Sequence, residues 1–273
     1  MEHSAAKGTS LFAAFEERGR VISALIFREL KTRFGDARLG VAWVLLEPLI
    51  HLAIILSLRY VIGRLGYHPT INSQMFLITG IVPFLFFRTT ITRIMKTVDA
   101  NKALLVFHQI RIPDLVAARI VLEITIYIGV FTVILMLFYL MGFTDVSIKS
   151  PQDLLLVSIL LWFSALSAGL FCMIMNAIFP LTEKIVSVVL RVMYLASGVI
   201  FLYEMIPYQY RIYVIYNPVL HLINMVRESF FTQIAYDATF MNAQYVFTFF
   251  GVMFASSILL IISYKKHLLQ END

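Results

Sequence analysis

Apolar residues gather along this chain into six runs, each near the roughly 20 residues that carry a helix across a bilayer. The runs cover 40–63, 75–98, 114–142, 153–179, 184–203 and 243–264, and the stretches between them collect most of the charge, proline and glycine. This pattern predicts an all-α integral membrane protein with six transmembrane helices. Over 10–34, Leu11, Phe12, Phe15, Val21, Ile22, Leu25, Ile26 and Leu30 recur at nearly helical spacing between Glu16, Glu17, Arg18, Arg20, Arg28 and Lys31. Such a segment predicts an amphipathic helix lying in the membrane interface. The stretch 204–242 is too long for a plain loop, is rich in aromatic and apolar residues, and is broken by Pro207 and Pro218. It predicts short re-entrant periplasmic helices before the last span, with backbone that must be covered by protein or line a cavity. The expected organisation is a cytoplasmic N-terminus over 1–39, a transmembrane domain over 40–264 and a cytoplasmic tail over 265–273.

Composition places the chain firmly in the membrane class: 60% of its residues are hydrophobic, 14% are charged, and the mean hydropathy is +0.83. The formal net charge of +5 does not build a nucleic-acid face on so small a polar surface. It reads instead as topology. With the N-terminus inside, the inner side receives Lys7, Arg18, Arg20, Arg28, Lys31, Arg33, Arg38, Lys96, Lys102, Arg111, Lys184, Lys265 and Lys266. The outer side receives only Arg64, Lys149, Arg211 and Arg227. Both termini are therefore expected in the cytoplasm. The first 38 residues lack the compact apolar core of a cleaved signal peptide, so the N-terminus is expected to be retained. A single cysteine, Cys172, excludes an intramolecular disulfide and a thiolate metal cluster.

Charges inside spans are costly and therefore informative. Glu47, Arg88, Glu123 and Arg191 fall at similar depth in their runs and form a candidate intramembrane charge layer. They could pair into a structural belt, or one base, foremost Arg88, could face a conduit; Arg119, one turn from Glu123, competes for the same acid. Glu47 and His51 have half the spacing of a metal site, but no second His or Cys pair completes it, so no metal is expected. Pro48 predicts a kink in the first span, and Arg59 reads as a snorkelling residue near a span end. The loop carboxylates Asp145, Asp153, Glu204, Glu228 and Asp237 form no paired or DxD-like arrangement, which argues against a membrane enzyme. A secondary transporter would be expected to show inverted repeats, and none is visible.

Four segments in order, FRELKTRFGDARLGVAWVLLEPLIHL, LITGIVPFLFF, NKALLVFHQIRIPDLVAAR and YNPVLHLINMVRESF, resemble the permease subunits of type 2 ABC exporters, and among them those of capsular polysaccharide exporters. The resemblance spans essentially the whole chain. It implies an inner-membrane homodimer bound to two copies of a cytoplasmic nucleotide-binding subunit, moving a lipid-linked acidic polysaccharide, with a periplasmic co-polymerase or adaptor as a further partner. ATP and Mg would be bound by the ATPase and no cofactor by this chain, which contains no G-x-x-x-x-G-K-[ST] loop. The connection between the second and third spans, about 99–113, would couple to the ATPase through Asn101, Leu104, Leu105 and Phe107. Arg28, Arg33 and Arg38 would capture the anionic lipid-linked end at the inner mouth, with Trp43 capping it and Tyr194 and Tyr203 offering ring faces along the conduit. The alternatives are an O-antigen or teichoic acid permease of the same family and, further off, a secondary transporter.

Overall fold

The computed structural model describes residues 11–34, 40–62, 72–106, 109–142, 147–232 and 242–270. Among these it is helical throughout: α1 Leu11–Phe34, α2 Gly40–Ile62, α3 Ser73–Met95, α4 Thr97–Ala100, α5 Lys102–Leu105, α6 Ile112–Leu140, α7 Pro151–Ile178, α8 Thr182–Ala196, α9 Tyr208–Val214, α10 Pro218–Phe230 and α11 Ala243–Gln270, with a 3-10 turn at Tyr203–Met205.

The helix starts follow from local chemistry. Asn72 accepts the Met75 amide at 3.0 Å to open α3. Ser150 stands before Pro151 at the head of α7, and the Arg111 amide donates to Asp114 Oδ2 at 3.0 Å where α6 begins. These contacts satisfy donors that the first turn of a helix leaves free.

The central post is α3. Residues Met75 through Phe87 are buried without interruption, Gly80 and Pro83 included, because α2, α6, α7, α8 and α10 all pack around it. A β-carbon at Gly169 of α7 would lie 2.8 Å from Ile94 Cβ, so glycine permits the close α3–α7 approach. On the outside, Val121, Ile128, Val133 and Met136 of α6 and Phe247, Val252, Leu259 and Ile262 of α11 stay exposed. Such apolar surface suits lipid and not water.

Among the described residues four helices are long and apolar enough to cross a bilayer: Ser73–Met95, Ile112–Leu140, Pro151–Ile178 and Ala243–Ser263. The first predicted run folds as α2, in which Ala42–Leu58 is the apolar stretch. The fifth run, 184–203, is not one continuous helix. Its helical part, α8, has 15 residues, about 22 Å against a hydrocarbon core of about 30 Å. It stops at Ser197 and Gly198, the latter at φ +66°, a conformation only glycine adopts cheaply. Tyr203 consequently sits in the 3-10 turn beyond the break and not on the same helix as Tyr194. The 204–242 stretch does contain short helices, α9 and α10, and α10 is buried along most of its length.

Candidate functional site

Where α1 meets α6, the two helices are joined by a ladder of polar contacts. Arg18 pairs with Asp114 at 2.7 Å, Arg119 Nε lies 3.4 Å from Glu29, and Arg33 pairs with Glu123 at 2.6 Å. Beneath them Leu25 packs on Leu115 and Ala118, flanked by Ile22, Ile26 and Leu105. The Arg33 and Glu123 side chains are only 9% and 3% exposed. Arg28 donates to Asn101 Oδ1 at 2.9 Å. Arg28 and Arg33 are thus held by the chain itself. Glu123 lies 11 residues into α6, about 16 Å along it, so Arg33 reaches well past the start of that helix. Arg38 lies outside the described residues. Trp43, in contrast, is 58% exposed on α2.

The four charges of the proposed layer do not form one set. Glu47 pairs with Arg88, Glu123 with Arg33, and Arg119 turns to Glu29 and to the Arg93 carbonyl. Arg191 stands on the exposed face of α8 with no ion pair among the described residues. Thr89 and Tyr127 share a hydrogen bond of 2.9 Å next to the Glu47–Arg88 pair in sequence and space. Tyr194 sits inward, its ring 5.6 Å from that of His51 and 5.2 Å from that of Phe84. Tyr203 lies under the Arg211 guanidinium at 5.3 Å.

Along the 99–113 connection, Asn101 is buried, while Leu104 and Leu105 are half-buried against α1. The outward apolar side chain is Val106, 68% exposed. Phe107 lies outside the described residues.

One site escaped the sequence reading. Arg227, counted there among the basic residues of the outer side, is 0% exposed. Its two terminal nitrogens donate to the carbonyls of Gly198 at 2.6 Å and Val199 at 2.7 Å, and its guanidinium carbon lies 3.6 Å from the centroid of the Phe76 ring. A β-carbon at Gly80 would come within 2.5 Å of Arg227 Nη2. Asn217 opens α10 by accepting the Val219 amide at 3.0 Å and donates to Ser197 Oγ at 2.9 Å; His221 Nε2 meets the Ile215 carbonyl at 2.7 Å. Asn217 and Arg227 of YNPVLHLINMVRESF therefore close the break after α8, while His221 holds the end of α9. The signal was the fixed motif itself, read only as a family mark.

The helices, their lipid-suited outer faces and the buried charge pairs define a multi-pass, all-helical membrane protein. A family model described as ABC-2 type transporter matches residues 20–231, and the chain belongs to that family. It is 33% identical over 218 residues to the polysialic acid transport protein KpsM of Escherichia coli, covering 80% of this chain and 83% of KpsM. The capsule polysaccharide export inner-membrane protein CtrC of Neisseria meningitidis is 30% identical over 226 residues, covering 82% and 83%. BexB of Haemophilus influenzae, described in the same words, is 27% identical over 227 residues, covering 81% and 83%.

Proposed function

We propose that this chain is the permease subunit of an ATP-driven exporter that carries capsular polysaccharide across the bacterial inner membrane. The observation that carries this reading is likeness, over four-fifths of the chain, to proteins named for capsule polysaccharide export and for polysialic acid transport. The working unit is a homodimer with two copies of an ATPase that binds ATP and Mg, and a periplasmic adaptor receives the product. The polysaccharide is lipid-linked and acidic. Both termini face the cytoplasm.

Within this reading the conduit base is Arg191 and not Arg88. An arginine aimed into lipid costs about 2.5–3.5 kcal/mol on insertion scales, so its exposed position on α8 suits a polar conduit or a second copy of the chain. Arg88 already has Glu47. Arg28 and Arg33 would reach an anionic headgroup only by exchanging Asn101 and Glu123, which leaves Trp43 as the freely presented member of the inner mouth. An O-antigen permease of the same family is the alternative.

The test is reconstitution. The isolated chain should hydrolyse no ATP; with its cognate ATPase in proteoliposomes it should support hydrolysis and move lipid-linked capsular glycan to the far side, measured by glycan labelling. Hydrolysis by the isolated chain, or transport without ATP, would overturn the proposal.

A further inference from the structure

The four-residue helix α4 sends polar side chains in two directions. Toward α1, the buried Asn101 just beyond it accepts Arg28 at 2.9 Å, while its own amide nitrogen donates to the Thr97 carbonyl at 2.9 Å, which fixes the orientation of the side chain. Thr97 Oγ1 in turn accepts Arg119 at 3.2 Å, and Arg119 lies against Glu29 of α1. Toward α7 and α8, Asn176 Nδ2 donates to Asp99 Oδ2 at 3.0 Å, and Lys96 pairs with Glu183 at 2.5 Å. Val98 fills the space between, in a buried cluster with Ile94, Val116, Leu170 and Ile174.

A single helical turn bonded on both flanks and packed beneath is tied to both neighbours. A displacement of it must break these contacts or carry α1 and α8 along. We propose that α4 distributes the motion that the ATPase imposes on the 99–113 connection, through Arg28 to α1 and through Asn176 and Glu183 to the α7–α8 junction. Arg28 and Asn176 are its positioning residues. The proposal rests on the exporter reading above and gives α1 a role other than lying on the membrane. The second arm ends on the helix that carries Arg191 and Tyr194, so one stroke reaches the inner mouth and the conduit face together.

The experiment uses the full complex of this chain with its ATPase and measures glycan exported per ATP hydrolysed. Asn176→Asp sets two carboxylates against each other; the double variant Asp99→Asn with Asn176→Asp restores an amide–carboxylate pair with its direction reversed. The single variant should still co-purify with the ATPase and hydrolyse ATP at the parental rate, yet export about fivefold less glycan per ATP, the factor one ordinary hydrogen bond corresponds to. The double variant should recover the parental ratio. If Asn176→Asp does not assemble, Asn176→Leu, which removes the bond without adding charge, is read in the same way. An unchanged ratio in the single variant, or no recovery in the double, overturns the relay while leaving the exporter reading intact. Failure of the parental complex to export glycan overturns the exporter reading, and the relay with it.

Discussion

A guanidinium without exposed surface must have its donors met inside the protein, and Arg227 meets two of them on the Gly198 and Val199 carbonyls just past the end of α8. Lysine keeps the charge but has no planar fork to span two successive carbonyls. Arg227→Lys and Arg227→Met should therefore each destabilise the chain by about 2–4 kcal/mol. Gly80→Ala should act in the same direction, because its new methyl group would meet Arg227 and the Val199 carbonyl. Cys172 is the one thiol and is half-buried in the folded chain, so the rise in its reaction with a fluorogenic maleimide on unfolding reports the melting temperature. A parental melting temperature for Arg227→Lys would show that the fork is not what closes the break. At this scale the sequence marks costly charges by their place in apolar runs, but not their partners. Glu123 finds Arg33, which is 90 positions away, because α1 packs along α6, and nothing in either segment announces that neighbour.

Among the elements, α8 buries only Leu190 of its 15 residues. Ile185, Val188, Val189, Val192 and Leu195 form an exposed stripe at helical spacing, with Arg191 beside it. Lipid would satisfy the stripe but not the arginine. A second copy of the chain satisfies both if the two α8 helices flank a polar conduit, as the homodimer reading requires. Cysteines placed singly at Val189 and Val192, in a chain whose Cys172 is replaced by alanine, should then crosslink into a disulfide dimer in membranes, while cysteine at Val133 of α6, an exposed position away from α8, should not. Equal crosslinking at all three positions, or none at any, would sink the α8 interface. The four long spans and α1 were legible because their apolar periodicity persists for six or more turns. The fifth was misjudged because ASGVIFLY stays apolar across Gly198, and hydropathy registers neither a left-handed backbone nor a carbonyl bonded to a distant arginine. The sequence does place short helices in the 204–242 stretch, but not that one of them, α10, is core in the structure.

For the molecule as a whole, the buried position of Arg227 alters the charge balance that sets its orientation. Basic residues orient a membrane chain when they lie in short loops beside span ends, where moving them across the bilayer is disfavoured. A guanidinium enclosed by Gly198, Val199 and Phe76 is no longer a loop charge. Among the described residues this leaves Lys149 and Arg211 on the side that also carries α9, and Arg211 is itself drawn onto the Ile206 carbonyl at 2.8 Å. The opposite side keeps Lys96, Lys102, Arg111 and Lys184 beside the basic face of α1. The asymmetry is thus steeper in the folded chain than in a count of loop residues, and it predicts that the α4–α5 connection lies in the cytoplasm and α9 in the periplasm. In the background with Cys172 replaced by alanine, single cysteines at Lys149 and Tyr213, both exposed, should react with a membrane-impermeant maleimide in intact cells with a permeabilised outer membrane. A cysteine at Lys102 should react only after the inner membrane is opened. Labelling of position 102 in intact cells, with 149 and 213 protected, would reverse the orientation and remove the ATPase from reach of the 99–113 connection.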